Sequence, residues 1–231
     1  MGTLLVISTW LWGSAYPPAD VFKLRNGVAR HLKQPHRFVV MTEVERKWDV
    51  GSTIERFPIL DRELLLHKGC FARLRMFDRM WQQEVGIDDR LVCLDLDTVI
   101  TGWLDQLFDR PEPFVILSGA NSVNPCPFNG SVMMLRPGHN EDVWTTFSVE
   151  AAGKIPRFEF PDDQGWIWHK LPKASTWPAG KKSGIYAFRK PGWPIGIPIN
   201  DLPENARIVA FPGARRPQQF AGVKWVRENW K

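Results

Sequence analysis

Residues 91–100 read Leu-Val-Cys-Leu-Asp-Leu-Asp-Thr-Val-Ile. The first four form a continuous apolar run, the pattern of a central strand buried on both faces. The run ends in Asp95-Leu96-Asp97. Residues two apart on a strand point the same way, so both carboxylates can converge on one cation. Two carboxylates at the end of a hydrophobic strand are costly to bury without a counter-charge. A hard divalent ion with oxygen ligands is the natural partner, and such an ion keeps positions open for substrate phosphates. The carboxyl end of a central strand in an open α/β sheet is also where ligands bind. A simpler account makes Asp97 the N-cap of a helix beginning near Thr101 and Asp95 a solvated strand end.

Outward from this stretch, short apolar runs alternate with longer amphipathic segments, which predicts an α/β fold with a mostly parallel central sheet flanked by helices. Residues 3–8 read as the first strand. Val21, Leu24, Val28 and Leu32 recur at helical spacing, with Asp20 as N-cap. Arg37 to Met41 and Thr53 to Ile59 are the next strands. Phe71, Leu74, Phe77 and Trp81 place an apolar stripe on a helix from Lys68 to Val85. Beyond residue 110, strands are expected at Phe114–Ser118 and Ser131–Leu135, and a helix at Glu141–Glu150. A Pro- and Gly-rich stretch from 172 to 203 reads as loop, with a short strand at Ile185–Phe188. Arg207–Phe211 is a late strand and Val223–Trp230 a closing helix. No linker divides the chain, so residues 1–231 are expected to form one domain. About 1–110 would be its nucleotide-binding half and about 111–231 its acceptor-shaping half.

The 231 residues carry a net charge of +5, twelve Trp and nineteen Pro. The basic residues are spread out and form no stripe, and no nucleic-acid motif occurs, so no nucleic-acid partner is expected. A small phosphorylated ligand or a membrane surface fits the charge. No apolar stretch approaches the roughly 20 residues of a transmembrane helix, and Leu4-Leu5-Val6-Ile7 is too short for a signal peptide. Cys70, Cys93 and Cys126 are odd in number and form no CxxC pair, which favours reduced thiols and a cytoplasmic location. Peripheral contact with a membrane surface is the variant of that expectation.

Val92 to Ile100, followed by Leu104-Asp105-Gln106-Leu107-Phe108, resembles the metal-binding DxD signature of A-type glycosyltransferases. It is most similar to family 8, the glycogenin and lipooligosaccharide galactosyltransferase group. Four further blocks resemble that family in order. Phe71-Ala72-Arg73-Leu74 is similar to the helix whose Arg reaches the donor, and Phe128-Asn129-Gly130-Ser131-Val132-Met133 to the block whose Asn lines the sugar pocket. Asp162-Asp163-Gln164-Gly165 is similar to the block beside the reacting sugar carbon. Phe211-Pro212-Gly213-Ala214-Arg215-Arg216-Pro217 is similar to the late block whose basic residue holds the diphosphate. The resemblance implies the A-type glycosyltransferase fold and transfer of a sugar from a nucleotide-diphosphate sugar, with UDP-sugar the expected donor. The acceptor would be a hydroxyl on a glycan, lipid or protein. It implies a divalent metal on Asp95 and Asp97, Mn²⁺ with Mg²⁺ as the alternative. Asp163 and Gln164 would be catalytic, and Arg73, Asp95, Asn129, Gly130, Asp163, Gly213 and Arg216 would bind substrate. Two departures stand out. Ala210 occupies the place of the family's metal-ligating His, and Ser8 to Gly13 has no match to its nucleotide-contacting loop.

Each block has a plain structural alternative. Arg73 could be a solvated helix face, Asn129-Gly130 an ordinary turn, Asp162 and Asp163 helix caps, and Arg215-Arg216 surface charge. His67 and His169 have no ligand-spaced partners. Trp166 and other aromatics of the second half are candidates for stacking on acceptor or donor rings. Two rival functions remain open. One is a haloacid dehalogenase-like phosphatase with Asp95 as nucleophile, Asp97 as acid/base and Lys170 with Asp162/Asp163 downstream. The other is a non-catalytic nucleotide-sugar-binding module.

Overall fold

The computed structural model describes residues 4–231 except 47, 50, 122–123, 157–160 and 190–191; Thr3 of the expected first strand and residues 190–191 of the expected loop thus lie outside the described residues. The described elements are β1 (Leu5–Leu11), α1 (Ala19–His31), β2 (His36–Thr42), β3 (Glu55–Pro58), α2 (Arg79–Val85), β4 (Leu91–Leu94), β5 (Thr98–Ile100), α3 (Asp105–Phe108), β6 (Phe114–Ser118) and β7 (Phe128–Leu135). They continue with α4 (Asp142–Thr145), α5 (Val149–Gly153), α6 (Asp163–Lys170), β8 (Ser175–Pro178), β9 (Ile185–Ala187), β10 (Ile208–Ala210) and α7 (Lys224–Asn229), with short 3₁₀ segments between several of them.

Seven strands form one sheet in the order β3-β2-β1-β4-β7-β6-β8, and β5-β10-β9 form a second, small sheet. In the large sheet β1 pairs parallel with β2 and β4, β2 with β3, and β6 with β8, while β7 runs antiparallel to both its neighbours. The sheet is mostly parallel, as expected. Alternation along each central strand explains the continuous apolar runs. In β1, Leu5 and Ile7 pack into one hydrophobic layer and Val6 into the other; in β4, Val92 and Leu94 divide from Leu91 and Cys93 in the same way. A strand buried on both faces needs apolar residues at consecutive positions.

The expected helix from Lys68 to Val85 is instead a 3₁₀ stretch, Phe71–Phe77, followed by α2. The break falls at Asp78, whose extended backbone caps α2 and whose carboxylate accepts from Met80 N at 3.0 Å. The apolar spacing survives because both segments bury the same residues, Phe71, Leu74, Phe77 and Trp81. The expected helix over 141–150 likewise divides, at Ser148, which caps α5 through its hydroxyl. Asp20 lies inside α1 while Pro18 holds the N-cap position. Two strands were not foreseen. β5 is three residues long and follows the carboxylates directly, and β8 is a Trp- and Pro-containing segment of the 172–203 stretch. Neither is long enough to show a period.

Replacing Asp78 by Ala removes both the cap of α2 and a 3.2 Å ion pair with Arg75. The expected cost is about 1 kcal/mol, read as a lowered urea midpoint with unchanged slope.

Candidate active site

The strand order reverses at β1, and a cleft of about 520 Å³ opens at the carboxyl ends of β1 and β4. Asp95, Asp97, Arg73, Asn129, Gly130, Asp163, Gln164, Gly213 and Arg216 all line it. They come from five separate stretches of the chain.

Asp95 and Asp97 follow β4 in a turn closed by Thr98 N donating to Asp95 O at 3.1 Å. Their shared direction therefore comes from the turn, not from strand alternation. β10 closes the far side of this turn: Ala210 is in register with Thr98, and Phe211 N donates to Asp97 O. The two carboxylates have different surroundings. Asp95 is half-buried and paired with Arg73. Asp97 is 5% exposed; its Oδ2 accepts from Tyr16 Oη at 2.6 Å and lies 3.5 Å from Arg216 Nη1, while its Oδ1 is buried without a hydrogen-bond partner. Burial, reinforced by the Asp95 charge, pushes the Asp97 carboxyl up to about 7 against the pull of Tyr16 and Arg216.

Arg73 is buried and not a solvated face. Its guanidinium meets Asp163 Oδ2 through Nε at 2.8 Å and Nη2 at 2.6 Å. Its Nη1 bonds Asp95 and reaches the carbonyl of Gly130 at 3.2 Å. Asp163 sits at the start of α6, held by its N–H donating to Gly69 O at 2.7 Å; Asp162 caps the helix by accepting from Gly165 N. Burial pushes Asp163 up to about 7 despite Arg73, and the flanking carboxylates hold Arg73 as a cation well above its usual range.

Gly130 does not form a turn. It lies inside β7, beside an irregularity at which β6 shifts its pairing from Met133 to Asn129, and such bulges re-aim side chains. A Cβ at this position would stand 2.5 Å from Arg73 Nη2, so glycine is needed for the guanidinium to pass. Its N–H donates to Gln164 Oε1 at 2.9 Å. Asn129 is tied to Ser131 N and Asn121 Oδ1.

Arg216 lies over the cleft, with its Nη1 shared among Asp97, Gly213 O and Arg215 O. Arg215 turns away and donates to Phe188 O. Trp166 is core: it is buried among Phe147 and its neighbours and donates to Val143 O. Lys170 pairs with Asp142 and does not line the cleft, which removes the lysine that the phosphatase alternative requires. Ala210 is fully buried, so an imidazole there would have to displace its neighbours. Among the described residues no group of three or more His, Cys, Asp or Glu could hold a metal ion. The pair Asp95 and Asp97 stands without a third such ligand.

Trp10, Trp12, Ala15 and Tyr16 form the wall that sequence reasoning missed. Their only signal is position: they end or follow β1, at the carboxyl edge where ligands bind in such sheets.

No protein-family model matches the chain, and no curated protein does. The fold is that of an A-type glycosyltransferase. Among solved structures it is similar to a crystal structure of an active-site Gln→Glu mutant of LgtC, a family 8 lipooligosaccharide galactosyltransferase. The TM-score is 0.60 at 13% identity, over 92% of this chain and 89% of that one. The resemblance read from the five sequence blocks therefore holds at the level of the fold. No helix among the described residues is long and apolar enough to cross a membrane.

Replacing Arg73 by Leu strands the buried Asp163 carboxylate. The expected destabilisation is about 3–5 kcal/mol near pH 8. Asp163 already binds its proton more tightly when folded, so its favourable contribution is complete below the ordinary carboxylate range and is lost as pH rises towards 7. Without Arg73 the raised value climbs further, so the variant's deficit should shrink near pH 5.5 and grow near pH 8. Denaturant melts at the two pH values check the sign.

Proposed function

We propose that this chain is a divalent-metal-dependent glycosyltransferase that moves a sugar from a nucleotide-diphosphate sugar, a UDP-sugar first, to an acceptor hydroxyl. The carrying observation is the charge of the cleft. Among the described residues that line the cleft, Asp95, Asp97, Asp162 and Asp163 face two cations, Arg73 and Arg216, and one buried oxygen of Asp97 has no hydrogen-bond partner. An excess of carboxylates is a poor place for a diphosphate, and a divalent cation between them corrects the sign. Asp95 and Asp97 would hold it, with Mn²⁺ preferred over Mg²⁺. When bound it would supply Lewis-acid stabilisation of the charge that develops on the departing diphosphate.

The other roles belong to the chain's own groups. Arg216 brings fixed positive charge to the mouth of the cleft, within reach of a diphosphate and in a position to counter the charge that grows as the nucleotide leaves. Arg73 has its donors committed to Asp95, Asp163 and Gly130, so it acts by holding these groups and not as a free donor arm. Asp163 and Gln164 face the cleft next to Gly130 and would orient the sugar. Free thiols at Cys70, Cys93 and Cys126 suit a reducing compartment. The acceptor remains a glycan, lipid or protein hydroxyl.

A panel of nucleotide sugars incubated with Mn²⁺ tests the proposal; release of free nucleotide is expected from at least one UDP-sugar and no release without metal. Asp97→Asn should abolish metal-dependent turnover while its melting temperature holds or rises, since burial disfavours that charge. Normal turnover by this variant would sink the metal assignment. Arg216→Ala should lower turnover about 10²-fold with little change in the melt; unchanged kinetics would return Arg216 to ordinary surface charge.

A further inference from the structure

Tyr16 stands in the loop between β1 and α1, at the edge of the cleft. It touches two of the groups assigned above by two different parts of its side chain. The hydroxyl donates to Asp97 Oδ2 at 2.6 Å. The ring lies beneath the Arg216 guanidinium, with 4.5 Å between the guanidinium carbon and the ring centroid. Asp97 is 81 residues away in sequence and is itself 119 residues from Arg216, so no local structure sets their spacing.

A carboxylate on a terminal sp³–sp² torsion has a broad rotational well. A short phenol hydrogen bond to one oxygen narrows that well and leaves the other oxygen, the buried and unpartnered Oδ1, for a cation. Outer partners of metal-ligating carboxylates act in this way. The ring's π-face attracts the guanidinium, while the carbonyls of Gly213 and Arg215 accept from its Nη1. Pro17 and Pro18 follow at once and fix two backbone angles, so the ring is presented from a stiff loop.

We infer that Tyr16 is a positioning residue with two separable roles: its hydroxyl aims Asp97 at the metal, and its ring holds Arg216 in place for the diphosphate. This inference rests on the metal and donor reading proposed above. Binding separates the roles. Mn²⁺, UDP and inorganic pyrophosphate are titrated calorimetrically into the unmodified chain, Tyr16→Phe and Tyr16→Leu, with circular dichroism melts as the fold control. Tyr16→Phe keeps the ring and should weaken Mn²⁺ binding in the presence of UDP by about 10- to 100-fold, leaving metal-free UDP binding unchanged. Tyr16→Leu should in addition weaken metal-free UDP and pyrophosphate by the same factor, because both depend on Arg216. Should Tyr16→Leu fail to fold, Tyr16→Met, of similar length, takes its place.

Wild-type Mn²⁺ affinity in Tyr16→Phe overturns the hydroxyl's role and leaves the metal reading intact. Weakened UDP with unchanged pyrophosphate in Tyr16→Leu makes the ring a base-stacking platform and overturns its role on Arg216. If the unmodified chain binds UDP but no Mn²⁺, the metal reading falls and takes the hydroxyl's role with it. If it binds neither UDP nor pyrophosphate, the proposed function itself fails.

Discussion

A buried guanidinium must be completely satisfied or the site around it collapses, and Arg73 meets that demand from three directions. Its partners are Asp163 at the head of α6, Asp95 beyond the end of β4, and the carbonyl of Gly130 within β7. Four chain segments are thereby pinned to one planar group whose donors have fixed directions. Several neighbouring features follow from this demand. Gly130 lacks a side chain because the guanidinium lies where Cβ would be, and at Gly69, with φ of +111°, a Cβ would stand 3.0 Å from Asp162 Cα and Pro161 O, so only glycine lets the loop before α6 come this close. The N–H of Asp163 is then in place to bond Gly69 O, which fixes the carboxylate that Arg73 needs.

The floor of the cleft thus holds a closely paired network, and its rim does not. Asp95 shares Arg73 with Asp163, but among the described residues Asp97 has a phenol and a more distant guanidinium at one oxygen and no hydrogen-bond partner at the other. Burial and the neighbouring Asp95 both disfavour its charge. On the proposed reading, a metal–diphosphate pair would correct this imbalance by bringing positive charge to the two carboxylates and negative charge to Arg216.

The second sheet connects this chemistry to the fold. β5 follows the carboxylate turn immediately, and β10 pairs with it antiparallel. The chain leaving β10 must then pass the turn, and Phe211 N bonds Asp97 O as it does so. The loop carrying Gly213 and Arg216 is therefore delivered to the cleft by strand pairing and not by its own conformation. Behind it Phe188, Phe211, Phe220 and Trp225 pack together, giving the loop a firm base and accounting for part of the chain's aromatic content.

What the sequence by itself determined are the features that depend on near neighbours. The continuous apolar run at 91–94 marked a strand buried on both faces, because a pleated strand between two layers has no polar side, and residues 3–8 were legible as the first strand. Asp95 and Asp97 were legible because charges abutting such a run need a reason. Arg73, Asn129, Gly130, Asp163, Gln164 and Arg216 were marked by ordered blocks of resemblance, and the tertiary structure brings them to one cleft. What each of them touches was decided only there. Arg73 and Asp163 are 90 residues apart and Tyr16 and Asp97 are 81, and no periodicity reports on pairs so distant. The division of the 68–85 helix at Asp78 was hidden for a related reason: a 3₁₀ stretch and an α-helix in succession bury the same apolar residues, so the pattern is unchanged while the backbone is not. Tyr16 carried no signal in the chain, since a tyrosine before two prolines looks like any turn until β1 and β4 lie side by side and place its hydroxyl against Asp97.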